Sequence, residues 1–365
     1  MANEIPGAWN VQLEGKPDFD VAMRRVYAWF AHEVIDRPPI RFSTHNAEYD
    51  RGIETRGHRW ASVRERWLDA EFQVETFARS IEGVRFLAET FPVFWPNLGP
   101  GIYAAFHGAP LEFREVTSWT TPIVKEWSDA EKIRFDPSCA YFRAIDELTR
   151  LALERCAGKF LVGYTDLHGS LDCAADWRDR QELCIDTLEA PERVRDLVRR
   201  ADEHFLEVFD RYDAMLKAHG QPSVTWIGIP SFGKLHIPSS DFAALISPAA
   251  FDELYLPSLL AEVRHMTHNI YHLDSKDTLR HLPRIMAIEE IQAIQWVQGV
   301  GADQPILQWL PVIQRMQAAG KSVVVDLTTE ELEPFIDAMD PEGLYLCIAA
   351  DAAVQPDIIR RVERW

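Results

Sequence analysis

The sequence predicts an α/β protein, a (β/α)8 TIM barrel with an N-terminal helical extension. Three observations carry this expectation. Eight short β-rich runs alternate with helical patterns along the chain, and strand–helix alternation implies right-handed crossovers and a parallel sheet. Polar residues gather at the C-terminal ends of these runs, where α/β barrels keep their chemistry. No G-x-G-x-x-G follows the first run, which weighs against an open dinucleotide-binding sheet. The 365 residues read as one barrel domain, with residues 1–36 as the extension.

The elements follow in order. Asp18 to His32 has helical apolar spacing through Val21, Met23, Val26 and Phe30. Arg37 to Thr44 reads as the first strand, entered through Pro38 and Pro39. Arg64 to Thr90 reads as a long helix, and Phe91 to Trp95 as the second strand, ending in the turn Pro96-Asn97-Leu98-Gly99-Pro100-Gly101. Glu112 to Ile133, rich in tryptophan and threonine, is either a lid-like insertion or a short hairpin. A helix over Tyr141–Ala157 precedes the third strand, Lys159 to Thr165. Pro191 to His219 reads as one strong helix, with Pro191 at its start and Gly220 as its stop.

The fourth strand is expected at Ser223–Ile229, followed by a loop over Pro230–Ser240 and a helix over Pro248–His265. Strands five to eight are expected at Asn269–Leu273, Ile291–Trp296, Ser322–Leu327 and Leu344–Ile348. Helices fall around Leu279–Met286, Ile306–Ala319, Thr329–Met339 and Gln355–Trp365.

Composition excludes some classes. A formal net charge of −19 argues against a nucleic-acid partner, because phosphates need basic surface. Five cysteines, with no CxxC pair and an odd total, suit a reducing compartment, so a cytoplasmic location is expected. Met1 to Pro6 has neither a basic nor an apolar segment of the signal-peptide kind, and no run of about 18 apolar residues suggests a membrane span. A monomer or a homodimer is expected.

The stretch Ile270-Tyr271-His272-Leu273-Asp274-Ser275 is the centre of the site expectation. Residues i and i+2 of a strand share a face, so His272 and Asp274 project together from one strand end. They read either as ligands of a divalent metal, since imidazole and carboxylate suit zinc, or as an acid/base pair, or as partners of buried backbone groups. Asp166 and His168 repeat the acid-plus-histidine spacing at the third strand. Barrel closure would bring to the same rim Trp95, Asn97, Trp226, Asp241, Gln295, Trp296, Asp326, and Cys347 or Asp351. The tryptophans would form an apolar pocket wall.

Several of these segments resemble the uroporphyrinogen decarboxylase superfamily. The resemblance rests on Asp241-Phe242-Ala243-Ala244-Leu245-Ile246-Ser247-Pro248, Tyr255-Leu256-Pro257, Tyr271-His272-Leu273-Asp274, Arg280-His281-Leu282 and Ile294-Gln295-Trp296. It extends more weakly through Asn97–Gly101 and Asp166–Gly169, over about two-thirds of the chain. It implies a (β/α)8 barrel and either porphyrinogen decarboxylation or zinc-dependent methyl transfer between a corrinoid protein and a thiol. The decarboxylases carry R-Q-A-G-R after the first strand; here Phe42-Ser43-Thr44-His45-Asn46-Ala47 lacks both arginines. The methyltransferases bind zinc through His-x-Cys and a late cysteine. His272 matches that histidine, Asp274 stands where the first cysteine would be, and Cys347 lies close to the place of the last.

Three functions are therefore expected in competition. One is a metal-dependent methyltransferase-like enzyme acting on a small substrate with a corrinoid protein as partner. His272 and Asp274, with Cys347 or a third carboxylate, would hold the metal, and Trp226, Gln295 and Trp296 would shape the pocket. Asp166 and His168 would be its polar partners. The second is a decarboxylase, in which Asp241 or Asp274 stabilises a protonated intermediate and Arg178 holds a carboxylate. The third is a non-catalytic ligand-binding barrel.

Overall fold

The structure is a computed structural model that describes residues 9–43 and 60–365. Residues 1–8 of the expected extension, and Thr44 to Ala47 of the stretch compared with R-Q-A-G-R, lie outside the described residues. It is a mixed α/β architecture organised on a curled parallel sheet. Six strands form that sheet: β1 (Ile40–Phe42), β6 (Leu235–His236), β7 (His268–Asp274), β8 (Ala293–Val297), β9 (Ser322–Leu327) and β10 (Leu344–Ile348), in the order β1-β10-β9-β8-β7-β6. A separate parallel pair joins β2 (Val93–Phe94) to β5 (Leu161–Val162). The tryptophan- and threonine-rich region resolves into a hairpin of β3 (Leu111–Phe113) and β4 (Ser118–Thr120).

The regular ladder is therefore shorter than the eight strands expected. The fourth strand is where it fails. Gly228 adopts a left-handed φ of +70°, and its N–H donates to Thr225 O at 2.8 Å, so the chain turns instead of extending. Ser223 and Ser231 then bridge antiparallel. The sheet position passes to β6, inside the stretch expected to be loop, because its Leu235 is buried on the sheet's inner side while Pro230 ends the earlier run. The broken segments still touch one another. Gly163 N–H donates to Phe94 O at 2.8 Å, Tyr164 N–H to Val224 O at 2.9 Å, Leu235 N–H to Ser223 Oγ at 3.1 Å, and Glu89 N–H to Ile40 O at 2.8 Å. A Cβ on Gly163 would lie 2.9 Å from Val224 O, so only glycine permits that approach.

Strand alternation divides the core in two. Ile270, Ala293, Val324 and Tyr345 face inward with Leu161 and Leu235, while Tyr271, Ile294, Val323, Val325, Leu344 and Leu346 face the outer helices. The helix Phe19–Phe30 presents Phe19, Met23, Val26 and Trp29 to the inner set, at the N-terminal ends of the strands. Its seat is fixed by Trp29 Nε1 donating to Gly343 O at 3.0 Å and Ser322 Oγ donating to Trp29 O at 2.5 Å. One end of the inner space is thereby filled with apolar side chains, which leaves polar residues to the C-terminal end.

Several long helices expected from pattern are broken. Arg64 to Thr90 contains two helices, Val63–Trp67 and Ala70–Ser80. Pro191 to His219 breaks at Glu203 and His204 into Pro191–Asp202 and Phe205–Ala218. Pro248 to His265 breaks at Tyr255, because Pro257 has no N–H to continue the ladder. Among the described residues, no helix is long and apolar enough to cross a membrane.

Candidate metal centre

The inner-face rule that buries Ile270 also turns His272 and Asp274 inward at the C-terminal end of β7. Asp274 is followed by Ser275 at a φ of +67°, a left-handed conformation for a non-glycine residue. That bend is tied down by Ser275 N–H donating to Val297 O at 2.8 Å and Thr278 Oγ1 donating to Asp274 O at 2.7 Å. Asp241 enters from the next segment of the rim, at the start of the single 3-10 turn Asp241–Leu245. One ligand atom from each of Asp241, His272 and Asp274 lies within 4.8 Å of the others.

The imidazole is oriented from both sides. His272 Nδ1 is 2.7 Å from Gln295 Oε1, its register partner on β8. An amide oxygen only accepts, so Nδ1 carries the proton and Nε2 keeps its lone pair. Such second-side support is what fixes the tautomer of a metal-binding histidine. Trp226 packs edge-on against the ring, with centroids 5.2 Å apart. Burial and then the neighbouring Asp241 charge raise the Asp274 pKa, against a smaller opposing effect of His272. A cation among the three groups would relieve this repulsion, so the donor set fits a divalent ion. With one nitrogen and carboxylate oxygens it is a harder set than a thiolate site.

Asp241 is held in place by a residue that the sequence did not single out. Asp172 is 7% exposed and accepts hydrogen bonds from the backbone N–H groups of Asp241 at 3.0 Å and Phe242 at 2.9 Å. Burial, with Asp241 nearby, raises the Asp172 pKa. No local pattern betrays this role, because the partners are about seventy residues away in sequence.

The Asp166–His168 pair joins the same rim. His168 Nε2 lies 2.8 Å from Asp166 Oδ1, and its Nδ1 lies 2.8 Å from Ser239 Oγ. Ser239 is the residue bridged to His272, so a single serine separates the two histidine groups. Burial opposes the imidazolium, but Asp166, and beyond it Asp172 and Asp241, outweigh that effect and hold the His168 pKa up to about 10. The folded value lies above the ordinary 6.5, so the ion pair's stabilisation is complete below pH 6.5 and is lost as pH rises through about 10. His168→Gln is expected to lose about 1.5–3 kcal/mol at pH 6, and the gap to the parent protein should close by about pH 10.5 in urea titrations. An unchanged gap across that range would remove the charge from His168.

Other expected residues fall elsewhere. Gln295 faces inward, so its strand neighbour Trp296 must face outward; it is fully buried and packs on Trp309 at 5.2 Å. Trp296 is core and not pocket wall. The guanidinium of Arg178 is engaged within the protein: it is bound to Asp186 at 2.8 Å and lies over the Trp127 ring at 5.1 Å. Asn97 Oδ1 accepts from Gly99 N–H at 2.7 Å and shapes its own turn, while the buried Trp95 Nε1 has no partner among the described residues. Cys347 faces inward on β10 but is not part of the three-residue ligand group. Burial, with Asp326 beside it, pushes its thiol up to about 12, and a thiol held protonated is a poor ligand.

A cavity of about 580 Å³ is lined in part by Gln295, the hydrogen-bond partner of His272. Its polar wall includes Arg41, Asp326 and Cys347, and its apolar wall includes Phe42, Phe77 and Phe91. Arg41 was legible in principle, since it alternates with the buried Ile40 and Phe42. No protein-family model matches the chain, and no curated protein matches it significantly.

Proposed function

We propose that this protein is a divalent-metal-dependent barrel enzyme of the uroporphyrinogen decarboxylase-like kind, which moves a methyl group between a corrinoid protein and a small substrate. The observation that carries the reading is the convergence of Asp241, His272 and Asp274 within 4.8 Å at the C-terminal end of β7. The reading includes a closed barrel of eight staves. The hydrogen bonds Glu89–Ile40, Gly163–Phe94, Tyr164–Val224 and Leu235–Ser223, which join neighbouring segments, support it.

In this reading Asp241, His272 and Asp274 would hold a divalent ion, which would supply Lewis acidity toward the substrate's nucleophilic atom. The chain's own residues do the rest. Gln295 fixes the His272 tautomer, and Asp172 holds the turn that delivers Asp241. His168, as an imidazolium tied to Asp166, supplies fixed positive charge beside the carboxylates. Trp226 shields one side of the imidazole from water. Decarboxylation is the second reading, favoured by the raised Asp274 pKa, since a carboxylic acid would donate the proton that replaces departing CO2.

Elemental analysis of the purified protein, followed by methylcobalamin demethylation monitored by absorbance with a panel of small thiols, alcohols and phenols, tests the proposal. About one divalent ion per chain and substrate-dependent demethylation are expected. Metal-free protein that also fails to bind added Zn2+, Mn2+ or Fe2+ would sink it. Metal-bound protein that releases CO2 from small acids without a corrinoid would favour the second reading.

A further inference from the structure

Gln295 lines a cavity whose other walls include Arg41, Asp326 and Glu331. Three arginines sit on or near the first strand, and their situations differ. Arg25 and Arg37 are held by the buried Glu89 carboxylate at 3.1 Å and 2.6 Å. Arg41 instead lines the cavity, beside Cys347, its register partner on β10, which lines it too. Its guanidinium runs over Gly228, where a Cβ added to the glycine would lie 3.7 Å from Nε, and reaches the Cys347 thiol. Gly228 is the left-handed residue that ended the expected fourth strand. The turn that interrupts the ladder thus lies against this side chain.

We propose that this cavity binds the carboxylate of a small monoanionic substrate with an apolar or aromatic body, anchored on Arg41. A planar guanidinium matches a carboxylate in two parallel hydrogen bonds. Phe42, Phe77 and Phe91 offer the apolar wall for the body. Asp326 and Glu331 also line the cavity, and their charge opposes a second carboxylate on the ligand. Among the described residues the lining holds one arginine and two acids, a balance that suits a monoanion and not a polycarboxylate. Gln295 is shared between the cavity and His272, so the far end of the ligand points toward the Asp241–His272–Asp274 group. That orientation rests on the proposed function; the anchoring on Arg41 does not.

The test compares benzoate and phenylacetate with their neutral amides by calorimetry, on the metal-free and the metal-loaded protein. The acids are expected to bind at least about tenfold tighter than the amides. Arg41→Met should remove that preference, Arg41→Lys should keep part of it, and both should retain the parent's metal content and circular dichroism. Equal binding of acid and amide, an undiminished preference in Arg41→Met, or no binding of any acid at millimolar concentration would overturn the proposal. Metal content is read separately, so loss of acid preference with metal retained strikes the anchor alone. Absence of metal with acid preference intact strikes only the proposed function.

Discussion

Replacing His272 by alanine is expected to weaken binding of Zn2+ or Mn2+ by at least about 100-fold, measured by competition with a chromophoric chelator. The estimate follows from the geometry. Removing only a supporting partner of a metal-binding histidine costs about 10–100-fold, and here the ligand itself is lost from a group of three. Gln295→Leu is the finer test. It leaves the imidazole in place but removes the acceptor that holds the proton on Nδ1, so a loss of about 10–100-fold is expected. The affinity should also depend on pH. Asp274 has a raised pKa, and a carboxylate must lose its proton to bind a cation. Binding should therefore tighten as pH rises and release protons as it does so. Equal affinity in the parent and His272→Ala would place the ion elsewhere or nowhere.

The alternation of a strand explains both what the sequence made readable and where its reading went astray. His272 and Asp274 share a face because they are two apart, and the buried Ile270 says which face that is. The same rule, applied to Gln295 and Trp296, separates them, and the expectation that both line one pocket ignored it. Arg41 was open to the same reasoning through Ile40 and Phe42. What could not be read was tertiary. The carboxylate of Asp172 reaches across to the backbone at Asp241 and Phe242, and neither segment carries a local sign of the other. Arg178 looked available, but its partners Asp186 and Trp127 are set by helix packing. The missing fourth strand is intermediate: Gly228 and Pro230 both signalled a turn, yet Trp226, Ile227 and Ile229 read as strand. Pro257 likewise marked a helix break, whereas nothing in Glu203-His204 does.

The largest stability effect is expected at Glu89, far from any ligand group. Its side chain is fully buried and accepts from Arg37 at 2.6 Å and 3.1 Å, from Arg25 at 3.1 Å and from Ile40 N–H at 2.8 Å. Its own carbonyl accepts from Tyr345 Oη at 2.9 Å. One residue thus joins the helix Phe19–Phe30, β1 and β10. Glu89→Ala leaves Arg37, itself only 3% exposed, as an uncompensated buried cation, and a loss of about 3–5 kcal/mol is expected in urea unfolding. The exposed Arg195–Glu253 pair is the control, where Glu253→Ala should cost less than about 1 kcal/mol and vanish in high salt. Converting both Glu89 and Arg37 to methionine should recover most of the loss, because the penalty lies in the unpaired charge and not in the missing attraction. The consequence reaches the cavity, since Arg41 directly follows the segment that Glu89 clamps at Ile40. Glu89→Ala protein that remains folded should therefore bind benzoate more weakly than the parent. If Glu89→Ala unfolds within about 1 kcal/mol of the parent, Arg37 has found water or another partner, and β1 is held by its ladder to β10 alone.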